Sequence, residues 1–392
     1  MTLHQKFSTE LTRRSWIVLA TSALTGCGGG GVGSGGGGGL GGGSTASAPG
    51  TGGTGIYQGA INGFGSVIVN GVTYDNAQAV MRINDAVVSQ AALRLGMVAT
   101  VRGERVAGTA LGTASSIDVW TIAQGLVSEV SDHAFKVAGM TILTTAATWL
   151  YGFTPGAPLS IGQYVSVWGL QADEDGHTWT ASCVVASTAT TEAVSSGRVK
   201  VDDGKRTLNG IRLTGTVANS LADEALTRVQ GTWASNGSLN VVSAKTIDSA
   251  LYLQQEGEVE IEGLVTTVPT ATGFMLGSIT VQATPSMVSP TGALIALGSR
   301  VEVYGAWQGD VLKATKVELE DHAVPGTIEI KAPFQQFTSL ADFVMQGQHC
   351  NATGVILNQE TTAALSVVGA IFKVKGVKDG DWLKVSAMEL DD

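Results

Sequence analysis

Histidines, cysteines, carboxylates and aromatic rings are the side chains of this 392-residue sequence that could do chemistry. The five histidines, His4, His133, His177, His322 and His349, stand far apart in the chain. Zinc sites and catalytic triads bring histidines together with acids, thiols or a serine, and the sequence has no His-Glu-x-x-His, Gly-x-Ser-x-Gly or paired-cysteine spacing. Of the three cysteines, Cys183 and Cys350 lie in strand-like apolar runs 167 residues apart, where a buried free thiol is expected. Acidic turns recur at Asp173-Glu174-Asp175-Gly176, Asp202-Asp203-Gly204 and Asp379-Gly380-Asp381. A calcium loop needs a ladder of about six to eight oxygens, so these read as hairpin turns, in which Asp-Gly is favoured. The alternating glutamates from Glu256 to Glu262 read as the solvated face of a strand whose other face is apolar. A glycosidase would need two carboxylates about 5 to 10 Å apart in a cleft, and no pair is singled out. We therefore expect no catalytic residue, no metal and no cofactor.

What the aromatic rings could do depends on the elements that carry them. From Gly55 onward the chain repeats itself. A leucine-glycine or isoleucine-glycine step leads into alternating apolar residues and a closing glycine in Leu95-Gly96 to Gly103, Ile161-Gly162 to Gly169 and Leu297-Gly298 to Gly305. Val368-Gly369 to Gly376 is a looser copy, and the weakest keeps only Arg228-Val229-Gln230-Gly231. The closing glycines are 66, 62, 74 and 71 residues apart, about one small domain.

Strict alternation predicts a strand in each anchor, with Val165, Val167, Val301 and Val303 inward. Thr100, Ser166, Arg228, Glu302 and Lys373 take the other face, and all five are polar. The glycine is read as the end of the strand, allowing a bend or a close backbone approach. Upstream lie an entry strand and a hairpin, as in Gly125-Leu126-Val127 leading to Phe135–Gly139. Downstream, a turn such as Gln308-Gly309-Asp310 precedes one last strand. Short Ala/Leu-rich pieces just before the anchor, Gln90 to Leu95 and Pro290 to Leu297, read as short helices. Trp168 and Tyr304 fall on the polar face directly before the closing glycine. They are candidate contacts, either stacking a sugar or partner protein or filling the seam between neighbouring repeats. Trp233 and Trp307, two residues past the glycine, are expected to point inward.

The first residues read as an address. Lys6, Arg13 and Arg14 form a basic stretch, Trp16 to Leu24 is apolar, and small residues follow, the build of a secretory signal too short to span a bilayer as a mature helix. Leu24-Thr25-Gly26-Cys27 resembles the bacterial lipobox, which implies diacylglycerol on the Cys27 thiol and cleavage before it. Thr12-Arg13-Arg14-Ser15-Trp16-Ile17 is similar to a twin-arginine export motif. An ordinary secretory signal needs the same positive charge, so both routes stay open. Gly28, not aspartate, follows the cysteine, which points to the outer membrane. Seventeen glycines fall between Gly28 and Gly55, a flexible tether with a reach of about 30 Å. Removing Lys6, Arg13, Arg14 and Glu10 from 23 basic and 33 acidic residues leaves 20 against 32, a net charge of −12. Nucleic acid is an unsuitable partner, since its affinity comes from lysine and arginine on phosphates.

Five short strands, a bent anchor and a short helix per repeat imply an all-β chain of five tandem small OB-like β-barrels. The expected order is a signal peptide at 1–26, a Gly-rich tether at 27–55, and barrels at 56–121, 122–190, 191–251, 252–323 and 324–392. Units this small bury only about 60% of their unfolded surface, so neighbours should pack on one another. On these repeats the sequence resembles a bacterial family called domain of unknown function 5666, found in tandem copies in glycine-rich lipoproteins. The resemblance covers about residues 56 to 392. It implies repeated barrels in an envelope lipoprotein and no activity. The expectation is a non-enzymatic, membrane-anchored protein, bound to the membrane through lipid at Cys27, whose barrels bind or scaffold an envelope protein. Binding of glycan or exopolysaccharide is the alternative, then an envelope hydrolase. An outer-membrane pore is disfavoured, because its strands would be about 9 to 11 residues long with aromatic girdles.

Overall fold

The computed structural model describes residues 54–154, 156, 159–247, 257–320 and 326–391. The signal, Cys27 and nearly all of the tether lie outside the described residues, as do His322 and the expected junctions at 251/252 and 323/324.

The described chain is all-β apart from short helical turns. Its first strand, Thr54–Phe64, starts two residues inside the expected tether. This strand pairs antiparallel with Val67–Val69 and with Val98–Arg105. Val67–Val69 pairs with Val72–Asp75, which runs parallel to Leu111–Val119, and that strand returns antiparallel to Val98–Arg105. The circuit is closed, a small five-stranded barrel with no free edge. The same order of pairing recurs from Ala123–Val130 and from Glu192–Asp202. It recurs again from Glu258–Leu264, where one bridge between Val265 and Leu276 completes the ring. In the segment from Ile328–Pro333, a bond from Gln335 N to Val344 O (2.8 Å) completes it.

Local sequence explains the hairpins. Asn70-Gly71, Ala138-Gly139, Asn209-Gly210 and Gln346-Gly347 all have positive φ at both positions, as a two-residue type I′ turn between twisted strands requires. The closing glycine, however, does not end its strand. Val98–Arg105, Tyr164–Gln171, Leu226–Trp233, Arg300–Gln308 and Ile371–Asp379 run two or three residues past it. In all five the register against the last strand shifts at the glycine, a β-bulge. A Cβ there would lie 2.0 to 2.3 Å from a carbonyl oxygen of the facing strand, so only glycine allows the approach.

The third copy loses its leucine-glycine step, but the backbone keeps the shape. Seven residues before the closing glycine, Gly96, Gly162, Gly298 and Gly369 have φ between +80° and +86°, and Glu224 holds the same place at +60°. The helical pieces are smaller than expected. Gln90–Ala92 is a single 3₁₀ turn, Pro290 to Leu297 is not helical, and true helices occur at Thr216–Asn219 and Gln359–Ala364.

The circuits gather around the first one rather than following one another in a row. Gly55–Gln58 runs parallel to Glu258–Ile261, and Gly63–Phe64 to Glu329–Ile330. The first and last circuits share one apolar core, and Trp149, Tyr151, Trp168 and Cys183 of the second circuit complete it.

Candidate functional site

The anchor strands put apolar side chains inside each barrel, so their polar face must meet either water or another barrel. At three of the five positions it is closed to water. Thr100, Arg228 and Glu302 are buried at 2%, 4% and 4% exposure, and Ser166 and Lys373 are half-buried. Two seams result, both built on the first circuit.

The first seam is acidic. Glu258–Leu264 lies parallel to Thr54–Phe64, which turns its glutamates inward rather than to solvent. Glu260 is fully buried and Glu262 is 7% exposed, so the solvated face expected for this run is instead an interface. Arg105 of the first circuit pairs with Glu260, and its guanidinium sits 5.4 Å from the Tyr57 ring centre. Glu302 lies on the neighbouring strand. Oε1 of Glu260 and Oε1 of Glu302 find no hydrogen-bond partner among the described residues. Burial first, then Glu260, holds the Glu302 carboxyl well above the usual carboxylate range. Burial also raises Glu258, and pushes the Tyr57 hydroxyl up to about 12. Glu262 is fully committed: Oε1 takes Arg300, and Oε2 accepts from Ala60 N at 2.8 Å.

The second seam carries a cation with neutral partners. Arg228 reaches from the third circuit to the end of the first. Its Nε donates to Thr121 O (2.6 Å), and its Nη2 to Asn84 Oδ1 (2.9 Å) and Thr121 Oγ1 (3.0 Å). Burial lowers its pKa to about 10. The Lys245 ammonium lies 3.6 Å from the Trp120 ring centre, and burial lowers its pKa as well. Between the two seams is a cavity of about 140 Å³, lined by residues of the first four circuits.

The candidate rings Trp168 and Tyr304 are both 4% exposed, so neither presents a face to solvent for stacking. Trp168 packs in the core shared by the first and last circuits. Tyr304 Oη lies 2.9 Å from both Glu302 Oε2 and Glu318 Oε2, and its one proton serves one of them at a time. Trp233 and Trp307 are half-buried against the barrel cores. Cys183 and Cys350 are buried free thiols, with Cys350 pushed up to about 12 by burial, which leaves little reactive thiolate. His177 sits 2.5 Å from Asn209 Oδ1 and His349 3.2 Å from Asp342, in separate places. The acidic turns are hairpin connections, and Asp173 accepts from the backbone of His177 and Thr178. Among the described residues no group of three metal-ligating side chains forms.

Sequence reasoning missed Glu258, Glu260, Glu262 and Arg105. Their alternation was visible, but which surface it faced depended on a parallel strand some 200 residues away.

No curated protein matches the chain. Residues 124–184 and 262–318 match one family, and these segments span most of the second and fourth strand circuits. The chain thus carries two repeats of the family described as Domain of unknown function (DUF5666).

Proposed function

We propose that this chain is a non-enzymatic lipoprotein of the bacterial cell envelope. Lipid on Cys27 anchors it in the outer membrane, and five tandem OB-like barrels, at 56–121, 122–190, 191–251, 252–323 and 324–392, form a head that binds or scaffolds envelope proteins. The observation that carries this reading is the burial of charge between circuits: Arg105 with Glu260, and Arg228 with Thr121 and Asn84. Ties of this kind hold barrels at fixed angles, as a scaffold requires, and the carboxylates they gather lie behind the surface rather than in an open cleft. Two or more acyl chains at about 0.8 kcal/mol per buried methylene suffice for stable anchoring.

The test has two arms in intact cells. An alkyne-bearing fatty acid should label the wild-type chain in the membrane fraction, and Cys27→Ala should lose both label and membrane association. Retained label would end the anchoring claim. Photo-crosslinking residues at the exposed positions Leu294, Ile356 and Val368 should capture a recurring foreign protein, identified by mass spectrometry. Adducts only within the chain would end the scaffolding claim.

A further inference from the structure

The cavity between the two seams goes beyond the envelope reading and does not depend on it. Its volume of about 140 Å³ is roughly ten times the ~10–15 Å³ that one water requires. Much of its wall is apolar, including Ile122, Ile261, Leu276 and Ile279, all buried, and the indole of Trp179. An apolar body fits against this part of the wall.

Three charged groups, Glu262, Lys245 and Arg228, line the wall. Glu262 lines the cavity, but its two oxygens are taken by Arg300 and Ala60 N. Arg228 also lines it, and its contacts are a carbonyl, a hydroxyl, an amide and the Trp120 ring, whose centre is 5.4 Å from the guanidinium, all neutral. Nε and Nη2 make those bonds, and Nη1 makes none with a described residue. A guanidinium that is 4% exposed with no carboxylate in contact, in a chain of net charge −10, is an expensive arrangement. An anion beside Nη1 would resolve it. A second group is also unsatisfied: Ser278 Oγ, buried on the same wall, has no hydrogen-bond partner.

We propose that this cavity binds a small apolar molecule bearing a single carboxylate, with the carboxylate on Arg228 Nη1 and the apolar body against the isoleucine wall. The planar guanidinium matches a carboxylate, and the Ser278 hydroxyl supplies a further donor or acceptor.

The test uses the full-length chain and two probes of one shape, 4-fluorobenzoate and 4-fluorobenzyl alcohol, followed by ¹⁹F line broadening. The acid should bind at least tenfold more tightly than the alcohol. Arg228→Met should bring the two affinities together. Ile279→Trp, which adds bulk at the cavity wall, should abolish binding of both while circular dichroism shows the fold retained. Equal affinity of acid and alcohol for the native chain, acid preference that survives Arg228→Met, or no broadening of the acid at 10 mM would each overturn the proposal.

Discussion

The two seams bury charge in opposite ways. At the first, Arg105 meets Glu260, with Glu302 and Glu258 close behind, so carboxyls outnumber the cation, and burial raises the Glu302 and Glu258 carboxyls above their usual range. At the second, Arg228 is surrounded by neutral oxygens. Glu302 of the first seam and Arg228 of the second hold the same strand position, three residues before the closing glycine, and both are buried. The lesson is that a repeat conserves the fold of its inward face while its outward face is free to specialise for each neighbour.

The largest effect should come from Arg105→Met. It leaves Glu260 buried without its cation, at a cost of about 3–5 kcal/mol, measured by urea denaturation at pH 7. Arg228→Met should cost less, about 1–3 kcal/mol, because it leaves neutral acceptors rather than a carboxylate unsatisfied. If the two variants are equally destabilised, the contrast between the seams is wrong.

Acidity sharpens the comparison. A carboxyl raised by folding binds protons more tightly in the native state, so its contribution is full below the unfolded value of about 4.5 and is lost as pH rises through the folded value. Glu302→Gln should remove that loss and flatten the fall in stability above pH 4.5, each unit of the raised value being worth about 1.4 kcal/mol. Denaturation midpoints at pH 5 and pH 8 check this, and an unchanged slope would show that Glu302 is not the group responsible. Smallest is Glu224→Gly, at the start of the strand that carries Arg228. It should stabilise by up to about 1 kcal/mol in thermal melts by relieving a left-handed backbone. The exposed Lys200–Glu224 pair it removes is worth a few tenths at most.

Much of the fold was legible because its signals are local. Alternation in Tyr164-Val165-Ser166-Val167 marks one face of a strand, Asn70-Gly71 and Asn209-Gly210 mark hairpins, and the closing glycine marks a close backbone approach. The bulge at that glycine was not legible, since continuation of the strand depends on the register of its partner. The third repeat was the hardest to see, because Glu224 fills a place where sequence searching looks for glycine and only the backbone records the equivalence.

The candidate site divides along the same line. The sequence by itself determined the strands, the turns, the inward valines and the alternation that put Arg228, Glu302, Trp168 and Tyr304 on the outer face. Only the tertiary structure decided that this face is a seam, that Glu260 and Glu262 are buried, and that a cavity lies among the first four circuits. Period-two patterning reports which side of a strand a residue takes. It does not report what lies on that side, and here the answer came from parallel strands brought together across some 200 to 265 residues of chain.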